Sequence, residues 1–148
     1  AGAQAEALVR RQCAGRSVLL VEDDPANGDV ALALLQACGL VVHTAADGLA
    51  GVQAAATHRP DLVLMDLQLP QLDGLAAARR IHALPGLATL PILAFTANAF
   101  ADDHARCLAA GMVGVVTKPV NAEDLYGALL PWLSQAARAG ATAVSPPA

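Results

Sequence analysis

The stretch VLLVEDDPANGDVALALLQACGLVVH, residues 18–43, has the pattern of a complete β-α-β unit. Both ends are short aliphatic runs without the polar alternation of a half-exposed strand, a pattern typical of strands buried on both faces of a sheet. Between them, Asp24 and Pro25 predict the N-cap and first residue of a helix, and Gly39 predicts its left-handed C-terminal stop. Two such strands joined by a helix predict parallel pairing.

The same alternation of strand and helix continues along the chain. The five strand-like runs are VLLV (18–21), LVVH (40–43), LVLM (62–65), PILAF (91–95) and VGVV (113–116). Asp73 and Asn121 predict further helix N-termini, and Gly111 predicts the end of the fourth helix. We therefore predict an α/β fold, a doubly wound five-stranded parallel sheet with five helices and right-handed crossovers.

The last predicted helix buries Leu125, Leu129 and Trp132 and contains Pro131. Proline lacks the amide proton that a continuing helix needs, so we expect an end or a kink near Leu130. The predicted domain covers residues 17–133. It is flanked by an N-terminal linker or helical extension, residues 1–16, and by a C-terminal linker or tail, residues 134–148.

Composition excludes several classes of protein. The chain has 148 residues, 55% of them hydrophobic, and a formal charge of −4 with scattered arginines. Without a basic stripe, direct nucleic-acid binding is not expected. The longest uncharged stretch, 83–101, is broken by proline, glycine and polar residues, so we expect no membrane contact by this segment. Cys13, Cys38 and Cys107 have no zinc-like spacing and are expected to be inert thiols in a reducing compartment.

Acidic and polar residues follow the predicted strands at one edge of the sheet. Glu22 and Asp23 follow the first strand, Asp66 the third, Thr96 ends the fourth, and Lys118 follows the fifth. Two carboxylates 4 Å apart repel each other by about 4 kcal/mol at an effective dielectric near 20. A hard divalent cation compensates such repulsion, and the chain's one lysine suggests a phosphate beside it. These residues favour a magnesium and phosphoryl site, with Asp66 as the nucleophile.

Four segments resemble the signature regions of two-component receiver domains, in the same order and spacing. They are VLLVEDD, DLVLMDLQLPQLDG, ILAFTANAF and VTKPV. The resemblance covers residues 17–133 and implies the flavodoxin-like receiver fold. It also implies that Asp66 accepts a phosphoryl group, that Thr96 turns toward that group and that Lys118 contacts it. The implied Mg²⁺ ligands are Glu22, Asp23, Asp66 and the backbone carbonyl of Gln68.

The resemblance also implies a partner and a setting. The phosphoryl donor would be a phosphohistidine on a histidine kinase or a histidine phosphotransfer domain. The segments TANAF, 96–100, and VNAEDLYGALLPWL, 120–133, look similar to receivers embedded in hybrid sensor histidine kinases. We therefore expect a cytoplasmic domain, either separate or within the cytoplasmic part of a membrane-bound kinase. Since the chain begins with Ala1 rather than Met, we expect a processed product or a piece of a longer protein.

One position departs from the family pattern. Many receivers carry an aromatic residue three positions before the lysine, and it swings inward when the threonine moves. Here that position is Val115. We expect coupled switching of threonine and aromatic residue to be missing, which leaves open a pseudo-receiver that works as a phosphorylation-independent interaction module.

Two other rivals are weaker. A haloacid-dehalogenase-type hydrolase needs a second aspartate two residues after the nucleophile, and this chain has Gln68 there. A nucleotide or flavin module needs a glycine-rich loop after the first strand, whereas EDDPANG, 22–28, would repel phosphate. The four histidines, His43, His58, His82 and His104, lie away from the predicted strand-end site and are expected at the surface or in packing contacts.

Overall fold

The computed structural model describes residues 15–67, 72–96, 101–117 and 122–144, together with Ala7, Val9 and Arg11. For Asn27, Thr117 and residues 101–104 and 134–144 it describes the backbone only. The strands are β1 (Ser17–Val21), β2 (Val41–Ala45), β3 (Leu62–Asp66), β4 (Ile92–Thr96) and β5 (Gly114–Thr117). The helices that follow them are α1 (Pro25–Ala37), α2 (Gly48–His58), α3 (Gly74–His82), α4 (Ala101–Ala109) and α5 (Ala122–Val144).

All five strands are parallel and lie in the order β2-β1-β3-β4-β5. The predicted fold class is therefore confirmed. Because β3 is the central strand, Asp66 at its carboxyl end lies in the middle of the functional edge of the sheet. The switch in strand order falls between β1 and β3, which is where doubly wound sheets place their ligand crevice.

Aspartate N-caps and glycine stops set the limits of the helices. Asp24 Oδ1 accepts the amide hydrogen of Ala26 at 3.0 Å, as the sequence predicted for α1. Asp73 caps α3 in the same way, and Gly39 and Gly111 have φ angles of 80° and 91° at the predicted helix ends. Asp47, which the sequence analysis did not single out, caps α2. The predicted cap at Asn121 lies outside the described residues.

Successive side chains along the strands feed two separate cores, one on each face of the sheet. Toward α1 and α5, the core holds residues such as Leu20, Leu64 and Phe95. Toward α2, α3 and α4, it holds their sequence neighbours, including Leu19 and Met65. Each strand side chain therefore packs against one helical layer, and the polar groups at the strand ends are left at the edge of the sheet.

The expectation that every strand is buried on both faces was wrong for β2. Its residues are exposed or half-buried, and Val41 is 48% exposed. The reason is its place at the edge of the sheet, beside β1 only. By contrast, all residues of β3 and β4 are buried.

Of the predicted end or kink near Leu130, the end was wrong, and the kink stays a prediction. Helix α5 continues through Pro131 to Val144. Leu129 and Leu133, on either side of the proline, are both fully buried in the core beneath α1 and α5. Packing on both sides of Pro131 therefore outweighs the amide hydrogen bond that proline removes.

A tyrosine joins the two helices of this layer. Helix α1 ends at Ala37, and the amide of Cys38 donates to Leu35 O at 3.2 Å. The hydroxyl of the buried Tyr126, on α5, donates to Leu34 O at 2.7 Å. It therefore satisfies one of the carbonyl groups that the last turn of α1 leaves over.

Candidate functional site

Three carboxylates converge at the carboxyl edge of the sheet. One oxygen from each of Glu22, Asp23 and Asp66 lies within 4.8 Å of the others. The parallel register pairs Val21 of β1 with Met65 of β3. The residues that follow them are both acids, Glu22 and Asp66, so the register places these two side by side. The sequence predicted that these three residues meet, and the structure brings them together.

Their surroundings differ in depth. Asp66 is 4% exposed at the end of the central strand, Glu22 is nearly as buried, and Asp23 is exposed. The amide of Glu22 donates to Ala45 O at 3.0 Å, which continues the ladder to β2. The amide of Asp24 donates to Glu22 Oε2 at 3.0 Å, and the other carboxylate oxygen, Oε1, is buried. The cluster thus has a solvent side at Asp23 and a protein side at Asp66.

The backbone behind Asp66 is in close contact with the first residue of α3. A Cβ atom added to Gly74 would overlap the carbonyl oxygen of Asp66, and the Gly74 amide donates to Leu67 O at 3.1 Å. Gly48, at the start of α2, similarly lies against the backbone of Leu72. Glycine at these positions allows the start of α3 to approach Asp66 and Leu67 closely, and the start of α2 to approach Leu72.

Thr96 lies at the same edge, one strand away. Asp66 pairs with Phe95 across β3 and β4, so Thr96 is one residue further toward the edge, and it is buried. Thr117, the last residue of β5, pairs with Thr96 and immediately precedes Lys118. Lys118 and Gln68 lie outside the described residues, so their predicted roles stay predictions.

Val115, the position of the missing aromatic residue, lies on the edge strand β5 opposite Ala94. Its side chain is half-buried and packs against the core on the side of α4. Because valine has no aromatic ring, the inward swing of an aromatic side chain at this position cannot occur here.

The donor set suits a small, hard cation. Three carboxylates offer oxygen ligands only, the type that Mg²⁺ and Ca²⁺ prefer, and a cation would relieve their mutual repulsion. With two carboxylates buried and one exposed, a hexacoordinate ion could keep water on its open side. Glu22, Asp23 and Asp66 are therefore the described residues that fit a magnesium ion.

A cleft of about 240 Å³ adjoins the cluster on the side of α1 and β2. Glu22 and Asp23 line it together with Gly28 and Leu32 of α1 and Thr44 of β2. This cleft was not predicted from the sequence, because its walls come from two separated segments, residues 20–32 and 44–46. It gives the carboxylate cluster an open approach beside the first turn of α1.

The histidines whose side chains are described lie in packing contacts away from the cluster. The rings of His43 and His58 stack with centroids 3.8 Å apart, and His82 Nε2 lies 2.9 Å from Leu90 O. Cys38 and Cys107 are buried free thiols, as expected, whereas Cys13 and the side chain of His104 lie outside the description.

Comparison with known proteins identifies the family. The model of the response regulator receiver domain matches residues 18–130. The chain belongs to this family.

The receiver's relatives include the signal transduction histidine-protein kinase BarA of Escherichia coli K12, 38% identical over 114 residues, which are 77% of this chain and 12% of BarA. The sensor protein GacS of Pseudomonas syringae is 38% identical over 124 residues, 82% of this chain and 14% of GacS. The receiver thus spans only a small part of the curated relatives it matches.

Solved structures agree with this assignment. The receiver domain of the sensor histidine kinase PA1611 from Pseudomonas aeruginosa, with magnesium coordinated in its active site cleft, is 42% identical. It superposes with a TM-score of 0.76 over 81% of this chain and 98% of that one. The chemotaxis protein CheY4 of Vibrio cholerae is 28% identical, with a TM-score of 0.76 over 80% of this chain and 98% of that one. Among the described residues of our receiver, no helix combines the length and apolarity that a bilayer crossing requires.

Proposed function

We propose that this receiver domain accepts a phosphoryl group on Asp66 in a two-component phosphorelay. The observation that carries the proposal is the cluster of Glu22 and Asp23 around Asp66, with oxygens within 4.8 Å of one another at the end of the central strand. We further propose that Mg²⁺ binds to these three carboxylates and to the backbone carbonyl of Gln68. The magnesium-bound receiver of PA1611 supports this assignment by its similarity.

The chemistry follows from the placement of Asp66. One carboxylate oxygen of Asp66 attacks the phosphorus in line, and the bond from phosphorus to the donor nitrogen breaks. That nitrogen keeps the electron pair, so a phosphohistidine ring protonated on its other nitrogen leaves as neutral imidazole. Bound Mg²⁺ would neutralise charge on the incoming phosphoryl oxygens and on the carboxylates. Asp66 itself is buried, and its cluster partners Glu22 and Asp23 line an open cleft beside it.

Two residues are proposed to respond to the new charge. Phosphorylation replaces the single negative charge of the Asp66 carboxylate with a phosphoryl group that carries roughly −1.5 to −2 charges and three acceptor oxygens. Thr96, at the same edge, would donate its hydroxyl hydrogen to one of these oxygens, and Lys118 would contact another. With Val115 in place of an aromatic side chain, this local change lacks the usual inward-moving ring.

We propose a phosphohistidine of a histidine kinase or a histidine phosphotransfer domain as the donor. Kinases such as BarA and GacS, which contain segments similar to this chain, support a place within or beside a hybrid sensor kinase, on the cytoplasmic side. The acidic cluster itself disfavours direct contact with nucleic acid, because it would repel a phosphate backbone.

The test is the intact mass of the chain after incubation with acetyl phosphate or phosphoramidate, with and without Mg²⁺. The parent protein should gain one phosphoryl group only with Mg²⁺, and Asp66→Asn should gain none. Asp73→Asn is a matched control, because it makes the same replacement at another aspartate. Asp73 caps α3, and asparagine is an equally good N-cap, so this variant should keep the fold. A folded, magnesium-bound parent that gains no mass would instead support a pseudo-receiver.

A further inference from the structure

Val9 is fully buried although it lies outside the family core. The receiver model begins at residue 18, yet Val9 has 0% exposure and is helical. Ala7 and Arg11, which are also helical, are exposed. Positions four apart lie on the same face of a helix, and the position midway between them lies on the opposite face. Val9 therefore faces the protein, whereas Ala7 and Arg11 face solvent.

The core that receives Val9 is the one between the sheet and helices α1 and α5. It includes Leu35 and Cys38 of α1 and Leu129 of α5. A fully buried aliphatic side chain in such a core is held in place by packing against its neighbours. Val9, which precedes the residues matched by the family, is therefore a packed part of the domain.

Gly15 and Arg16, directly before β1, are hydrogen-bonded to residues that follow α1. Gly15 has a φ of 87°, a left-handed conformation that favours glycine, and its amide donates to Gly39 O at 2.9 Å. The carbonyl of Arg16 accepts the amide hydrogen of Val41 at 2.9 Å. These bonds lie at the amino-terminal edge of the sheet, opposite the carboxylate cluster.

The segment that follows the family match, at the carboxyl-terminal side, contributes to the same core as Val9. Leu133 lies beyond residue 130, where the family match ends, and it is fully buried in the same core as Val9. Helix α5 begins near the functional edge and runs toward the amino-terminal edge, about 17 Å from Ala122 to Leu133 at 1.5 Å per residue. Both flanking segments thus add side chains to one core.

We propose that the two flanks form an intramolecular clasp, in which the helical segment around Val9 docks on the face formed by α1 and α5. The occupant of this face is a segment of the same chain. The clasp holds the residues that precede the receiver against the domain, in place of a free linker. It does not depend on phosphorylation of Asp66, so the two proposals fail or hold separately.

The test uses the two buried thiols as reporters on the two faces of the sheet. Cys38 belongs to the core that contains Val9, and Cys107 belongs to the opposite core. In the full chain carrying Cys13→Ser, labelling by N-ethylmaleimide is followed for each thiol by peptide mass spectrometry. Val9→Asp is compared with Ala7→Asp, which places the same charge on the exposed face of the same segment.

We expect Val9→Asp to speed labelling of Cys38 about tenfold or more, because local opening exposes the thiol, while Cys107 is unchanged. Ala7→Asp should leave both rates unchanged. Equal acceleration of both thiols would mean that Val9 contributes to global stability without a local clasp. No acceleration at Cys38 would mean that the segment does not cover this face. Either result overturns the proposal, and the milder Val9→Ser keeps it testable if Val9→Asp does not fold.

Discussion

At the scale of single residues, Asp23 and Asp24 are adjacent acids with different environments. Asp23 offers an oxygen to the carboxylate cluster, whereas Asp24 caps α1 and accepts the Ala26 amide hydrogen. We predict that Asp23→Asn weakens Mg²⁺ binding about tenfold or more, because one charge near the ion contributes more than 1.4 kcal/mol at an effective dielectric near 20. Isothermal titration calorimetry measures this change.

The matched control for that measurement is Asp24→Asn, which removes one charge from the same loop and keeps a good N-cap. Its effect on Mg²⁺ affinity should be small, since the Asp24 side chain is turned to α1. If both variants weaken binding equally, the loop's total charge and not the geometry of the cluster determines affinity.

Gly74 sets how closely α3 approaches the site. A methyl group there would overlap the carbonyl oxygen of Asp66, so Gly74→Ala should lower the free energy of unfolding by about 1–3 kcal/mol through overpacking. Gly127, exposed on α5, has open space around its missing Cβ atom. The control Gly127→Ala should raise stability by about 0.5–1 kcal/mol. Urea unfolding distinguishes the two signs, and a neutral Gly74→Ala would contradict the close approach.

At the scale of helices and strands, local sequence signals predicted most boundaries. Each predicted strand overlaps an observed one within two residues at either end, because aliphatic runs and their flanking caps are local features. The exposure of β2 depends on strand order, which is a property of the whole sheet and is not written in LVVH. The meeting of Glu22, Asp23 and Asp66 was predictable because strand ends share an edge, but their spacing was not.

Pro131 shows a local rule that tertiary packing overrides. It is exposed inside α5, and its missing amide hydrogen leaves the ladder one bond short. We predict that Pro131→Ala raises the free energy of unfolding by about 1–3 kcal/mol, below or near the full cost of proline in a helix interior. Urea denaturation monitored by circular dichroism measures it. A loss of stability would mean that the proline ring itself makes a contact that alanine does not replace.

At the scale of the whole molecule, one sheet separates two hydrophobic cores. The functional edge lies at the carboxyl ends of the strands, where polar residues follow the apolar residues of both cores. The sequence predicted the sheet and the acids at its edge from alternating aliphatic runs and the polar residues after them. It did not predict that a residue as early as Val9 completes the core under α1 and α5. A single valine in an alanine-rich segment has no periodic pattern long enough to identify a packed face.

We predict that residues 17–133 are sufficient to form a folding unit. The sequence places the domain at residues 17–133, and Leu133 is fully buried, so a chain trimmed to these residues should keep one cooperative unfolding transition. It should be less stable than the full chain by at least about 1.5–3 kcal/mol, the contribution expected from burying one valine side chain, because trimming also removes the hydrogen bonds of Gly15 and Arg16 and the last turns of α5. Urea unfolding of the two chains measures the difference. Equal stability would show that the Val9 segment packs without stabilising the fold, and loss of a cooperative transition would show that the folding unit extends beyond 17–133.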